Sequence, residues 1–144
     1  MMRLVFCDYR GLPLAAVAAG IRTGRLSRED SFKEHELLSL PQIASPSGFV
    51  HYGRDKDGME VYAFWCSADP GLVARFFRVR EELYGEVGEW LLRPVAGIPG
   101  SAEIALTWRL ARSGSARSKG LFYRAVLKSY PHLVRFALED SGKD

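Results

Sequence analysis

An apolar run, Leu4-Val5-Phe6-Cys7, breaks at Asp8-Tyr9-Arg10-Gly11 and gives way to the Ala-rich stretch Leu14 to Ala19. That order reads as strand, loop, helix, and it constrains the rest of the chain more than any other segment. A loop so placed delivers its backbone N–H groups to the positive end of a helix, a geometry that holds phosphate and other anions. In α/β sheets, ligands gather outside the carboxyl ends of the strands, where this loop and Cys66 are expected to lie.

The Ala-rich helix allows close approach to a sheet and is expected to stop near Thr23-Gly24. Lys33 to Leu40 reads as a short helix ended by Pro41, because a residue before proline is pushed out of the helical region. Pro46-Ser47-Gly48 is a loop. Two alternating apolar runs, Phe49 to Tyr52 and Glu60 to Trp65, are joined by Gly53-Arg54-Asp55-Lys56-Asp57-Gly58, whose Asp-Gly step signals a β-hairpin.

Asp69-Pro70 supplies an N-cap and a first-turn proline for a helix through about Tyr84, with Leu72, Phe76, Val79 and Leu83 as its apolar face and Gly85 and Gly88 at its end. Trp90 to Val95 is a short strand whose proline marks an edge or an exit. After the turn Gly97-Ile98-Pro99-Gly100, Ser101 opens a helix carrying Ile104, Ala105, Trp108 and Leu110. Ser113 to Gly120 reads as a loop, and the last helical region, Leu121 to Leu138, is expected to split at Tyr130-Pro131.

One hairpin must be antiparallel, while helical crossovers favour parallel neighbours. The chain is therefore expected to form one α/β domain over residues 1–144, a Rossmann-like three-layer sandwich with a small mixed sheet containing one antiparallel hairpin. A length of 144 residues suits a single core, and 47% hydrophobic with 26% charged residues argues against disorder.

No apolar run approaches the roughly 20 residues of a membrane span, and a strand starting at once after Met1 leaves no room for a signal peptide. A cytoplasmic protein with two free thiols, Cys7 and Cys66, is expected. The net charge of +3 is unevenly spread: Trp108 to Arg135 holds seven Lys or Arg and no Asp or Glu. Glu29, Asp30, Glu34 and Glu36 balance it elsewhere, so no uniform field attracts nucleic acid, and no nucleic-acid module is present.

Within the first loop, Arg10 is placed to meet an anion, Tyr9 to stack or donate its hydroxyl and Asp8 to hold Arg10 or cap the turn, and Gly11 completes this candidate ligand-binding set. Gly114 to Gly120, with Arg117 and Lys119, is a second candidate anion nest, although it lacks the Walker spacing. Cys7 reads either as a nucleophile or redox thiol at a helix N-terminus or as a small apolar residue at a strand's end. His35, His51 and His132 stand apart without metal spacing, so neither a metal nor a cofactor is expected. Trp65, Trp90, Trp108, Phe76, Phe77 and Phe122 read as core, with any exposed subset marking a partner surface.

The opening Leu4 to Cys7 with Tyr9 and Gly11, then Val17 to Leu26, resembles the bacterial domain of unknown function 3189 family. Leu37-Leu38-Ser39-Leu40-Pro41, the hairpin Gly53 to Tyr62 and the basic part from Arg109 onward are similar to it as well. The resemblance implies a bacterial cytoplasmic protein, of Firmicutes type, from a family without an established activity. In that family the first loop is richer in glycine, with His and Ser leading into the helix, where this chain has Leu12, Pro13, Leu14 and Ala15.

The strand, Cys-loop and helix order also looks like the low-molecular-weight phosphotyrosine phosphatases and arsenate reductases, whose phosphate loop closes with an arginine where this chain has Pro13. Two functional readings stand. The first is a non-catalytic domain that binds a small anion, such as a phosphorylated metabolite, or a protein partner at the first loop; the alternative is a Cys-dependent phosphoryl-transfer or redox enzyme using Cys7.

Overall fold

The computed structural model describes residues 2–10, 12–29, 31–44, 49–65, 70–85, 90–112 and 114–139. The expected loop Pro46 to Gly48, the N-cap Asp69, Gly88 and the candidate residues Gly11 and Cys66 lie outside them. Strand β1 (Arg3–Asp8) leads into α1 (Leu14–Arg22), followed by the short helices α2 (Glu34–Leu38) and α3 (Pro41–Ala44). The hairpin is β2 (Phe49–Arg54) and β3 (Glu60–Trp65); α4 (Pro70–Tyr84), β4 (Trp90–Pro94), α5 (Ser101–Ala111) and α6 (Ala116–Leu138) complete the chain.

The strands form one mixed sheet in the order β2-β3-β1-β4, with β1 parallel to both β3 and β4, and β2 antiparallel to β3. From β1 the chain moves one way across the sheet to β3, and from β3 it moves back past β1 to β4. Right-handed crossovers running in opposite directions place their helices on opposite faces. The two cores agree with this: Leu4 and Phe6 of β1 bury into a cluster with α1, α5 and α6, whereas Val5 and Cys7 bury beside Val73 and Phe77 of α4. The result is an α/β fold with helices on both sides of the sheet.

All nine residues of α1 are buried, and five of them are Ala or Gly. Small side chains let the helix lie close to β1 and β3 on one side and α6 on the other. A Cβ on Gly20 would already stand 3.0 Å from Leu40 Cδ2, so a larger residue there would require the leucine to shift.

Three sequence expectations are corrected. Pro41 does not merely end a helix; it opens α3, a position where its missing N–H costs nothing. The segment read as a loop from Ser113 contributes its last five residues to α6, because Ser115 caps the helix by accepting a hydrogen bond from Ser118 N. Helix α6 also runs unbroken through Pro131. Buried residues on both sides of the proline hold it: Tyr130 packs on Phe32 with ring centroids 4.4 Å apart and donates its hydroxyl to Ser27 O, and Ser129 Oγ donates to Pro99 O at 2.6 Å. Tertiary contacts thus outweigh the local preference of the residue before a proline.

The apolar face expected for α4 is corrected as well. Leu72, Phe76, Val79 and Leu83 are all exposed, and the helix instead rests on the sheet through Val73 and Phe77. Of the aromatic residues read as core, Phe77, Trp108 and Phe122 are buried, Trp90 is half-buried, and Phe76 is 58% exposed.

Candidate functional site

The carboxyl ends of β1 and β3 lie side by side, with Asp8 in register with Trp65. Their connections leave for opposite faces of the sheet, toward α1 and α4 respectively. A crevice between strands whose exits diverge is where open α/β sheets take their ligands.

Side chains alternate along β1, so its last two residues part company. Cys7 turns to the α4 side, fully buried among Val5, Val73 and Phe77, with its thiol 3.6 Å from the Val5 carbonyl. Asp8 follows Phe6 to the opposite side and is also fully buried. Its Oδ1 accepts hydrogen bonds from the backbone N–H groups of Arg10 at 2.9 Å and Leu12 at 3.4 Å. The carboxylate therefore ties down the turn that precedes α1, an Asx-type arrangement the loop composition suggests.

Asp8 Oδ2 has no hydrogen-bond partner among the described residues, although it is out of solvent. Burial pushes the Asp8 carboxyl above its ordinary value, against the opposing pull of the Arg10 and Leu12 N–H groups and the Arg10 charge. An unpartnered buried carboxylate oxygen is costly, and such a group calls for a partner: a ligand, an ion, a water or its own proton. No side chain caps α1: Pro13 occupies its N-cap position.

The remaining loop residues divide between the two faces. Tyr9 packs partly against the Cys7 side, Arg10 is exposed, and Leu12 anchors the loop in the main core. Beside this loop, Val95 N donates to Cys7 O at 2.8 Å and draws the exit of β4 against the end of β1. There Ala96 to Pro99, the α6 residues His132, Arg135 and Phe136, and Glu139 at the helix's C-cap line a cleft of about 190 Å³. Arg135 is a cationic candidate that sequence reasoning did not single out; only its place on a basic helix hinted at it.

Arg117 and Lys119 lie elsewhere. Arg117 is exposed in the first turn of α6, and Lys119 lines a separate cleft of about 380 Å³ with Leu38, Ile43, Trp108, Ala111, Arg112 and Gly114. None of these residues belongs to the β1–α1 loop. The three histidines sit on different elements, and among the described residues no group of three His, Cys, Asp or Glu is placed to hold a metal ion. No helix among the described residues is long and apolar enough to cross a membrane.

No curated protein matches the chain. No solved structure matches it either. A family model described as Protein of unknown function (DUF3189) matches residues 3–138, spanning all ten elements of the fold from β1 to α6, and the chain belongs to that family.

Proposed function

We propose that this protein is a non-catalytic domain that binds a small anion, of the phosphorylated-metabolite kind, at the loop between β1 and α1. The observation that carries the reading is the fully buried, unpartnered Oδ2 of Asp8 at the point where the exits of β1 and β3 diverge. Burial shifts the Asp8 equilibrium toward the protonated form, the form in which Oδ2 can donate a hydrogen bond to a ligand oxygen. The exposed Arg10 guanidinium supplies charge, and the uncapped N-terminus of α1 supplies N–H groups and a favourable dipole. Cys7 has no part in this reading, because its side chain is buried on the other face of the sheet.

The test is a thermal-shift screen of the wild-type protein against inorganic phosphate, sulfate and a panel of phosphorylated metabolites, since a ligand that binds only the folded state raises its apparent stability. The expected outcome is a concentration-dependent rise that disappears in Arg10→Ala and persists in Cys7→Ala. A flat response in the wild type overturns the reading, as does a rise that Arg10→Ala leaves intact.

A further inference from the structure

Helix α4 carries an apolar stripe that its own fold leaves uncovered. Leu72, Phe76, Val79 and Leu83 are 59%, 58%, 47% and 74% exposed. Their spacing of four, three and four residues is that of a coiled-coil seam, in which one helix sets its stripe against a second helix. Phe76 also lines an open groove of about 350 Å³ with Phe49, Tyr62 and Trp90. The apolar surface therefore continues from the helix onto the sheet, flanked by Arg3 and Arg80, which both stand over the Trp90 ring. A four-stranded sheet is about 19 Å wide and one helix about 10 Å, so α4 alone leaves roughly half of this face open.

The charges beside the stripe say what covers it. With Leu72, Phe76, Val79 and Leu83 at the seam, Arg75 and Glu82 occupy equivalent flanking positions one heptad apart. Both are exposed, and neither forms an ion pair with a described residue. A parallel second copy would bring Arg75 toward Arg80, a like-charge contact. An antiparallel second copy sets Phe76 against Val79 and Leu72 against Leu83, and brings each Arg75 beside the partner's Glu82, twice about the two-fold axis.

The order of charges along α4 supports an intermolecular use. Arg75, Arg78 and Arg80 precede Glu81 and Glu82, and the last turn holds no basic residue. Carboxylates at a helix C-terminus are unfavourable for that helix alone, and become favourable when an antiparallel neighbour presents its positive end and its arginines.

We infer that the protein forms a two-fold dimer in which the α4 stripes of two copies pack antiparallel, Arg75 of each meeting Glu82 of the other. The test is sedimentation equilibrium of the full chain across a concentration series, with circular dichroism to verify the fold of each variant. The wild type is expected to show a reversible monomer–dimer equilibrium, and Phe76→Glu and Leu83→Glu, at surface positions, are expected to be folded monomers. Arg75→Glu sets two like-charge contacts across the axis and is expected to weaken the dimer by about tenfold or more, and the double variant Arg75→Glu with Glu82→Arg is expected to restore it. A wild type that stays monomeric throughout the series overturns the inference. So does a dimer that survives Phe76→Glu and Leu83→Glu, or one that the double charge exchange fails to restore.

Discussion

Arg22 and Asp55 form an ion pair, Nε to Oδ2 at 3.0 Å, with side chains only 9% and 2% exposed. The pair joins the end of α1 to the hairpin turn. Asp55 Oδ1 accepts from the N–H groups of Asp57 and Met59 at 2.9 Å each, while Arg22 also donates to the carbonyls of Ala137 and Glu139 at the end of α6. Three segments distant in sequence thus meet on one guanidinium. Removing one member of a buried pair leaves the other charge uncompensated, a loss of roughly 3 to 5 kcal/mol. Arg22→Met is expected to fall in that range by urea denaturation. Asp55→Asn keeps its backbone contacts and is expected to lose less, about 1 to 3 kcal/mol. Asp55→Ala gives up the turn contacts as well and is expected to lose more than Asp55→Asn; equal losses in those two variants would show that the turn contacts contribute nothing.

Asp8 gives the fold a pH dependence opposite to that of a salt-bridged carboxylate. Burial raises its folded value above the ordinary 3.8. The folded protein therefore holds more protons than the unfolded chain between these two values, and the Asp8 contribution to stability falls as pH rises through that window. Asp8→Asn keeps an oxygen for the Arg10 and Leu12 N–H groups and removes the charge. It is expected to match or exceed the wild type at neutral pH and to lose this part of the pH dependence in urea denaturation at stepped pH. Asp8→Ala abandons both hydrogen bonds and is expected to lose about 1 to 3 kcal/mol.

The elements most legible in the sequence are those with a local signal. The apolar run of β1, the Asp-Gly turn and the Pro70 opening of α4 each landed where local chemistry put them. Periodicity located α4 but assigned the wrong face to the core: Leu72, Phe76, Val79 and Leu83 repeat at helical spacing, yet Val73 and Phe77 are the α4 side chains buried against the sheet. Spacing reports that two residues share a face; what lies opposite that face is a tertiary fact. The same limit hid the Arg22–Asp55 pair, whose members lie 33 residues apart with no local trace. The opposed directions of Cys7 and Asp8 follow from strand alternation, whereas the unpartnered oxygen of Asp8 depends on the surrounding packing.

Cys7 is fully buried beneath α4, so its thiol reacts only when the protein opens. In a Cys66→Ser background, alkylation of the native protein is expected to be slow and to rise with urea in step with unfolding. Cys7→Ala removes one buried sulfur and is expected to lose on the order of 1 kcal/mol. Rapid alkylation of the native protein below neutral pH would instead identify a low-pKa thiolate and favour the alternative, a Cys-dependent enzyme, over the binding domain.

Pro131 lies on the exposed side of α6 and lacks the N–H that would bond the Leu127 carbonyl. A proline inside a helix costs about 3 kcal/mol relative to alanine, partly offset by about 0.4 to 1 kcal/mol because it restricts the unfolded chain. The neighbouring contacts of Ser129, Tyr130 and Leu133 belong to other side chains and survive its replacement. Pro131→Ala is therefore expected to stabilise the protein by about 2 to 2.6 kcal/mol in urea denaturation. Downstream of the proline, Phe136 packs on Phe6 with centroids 5.9 Å apart, and Arg93 stands over the Phe136 ring at 4.4 Å. If Pro131→Ala destabilises instead, the φ that the proline fixes is what lets the last turns of α6 bring Phe136 onto the sheet. Phe136→Ala should then lose less in the Pro131→Ala background than in the wild type, because the contact it removes has already been weakened.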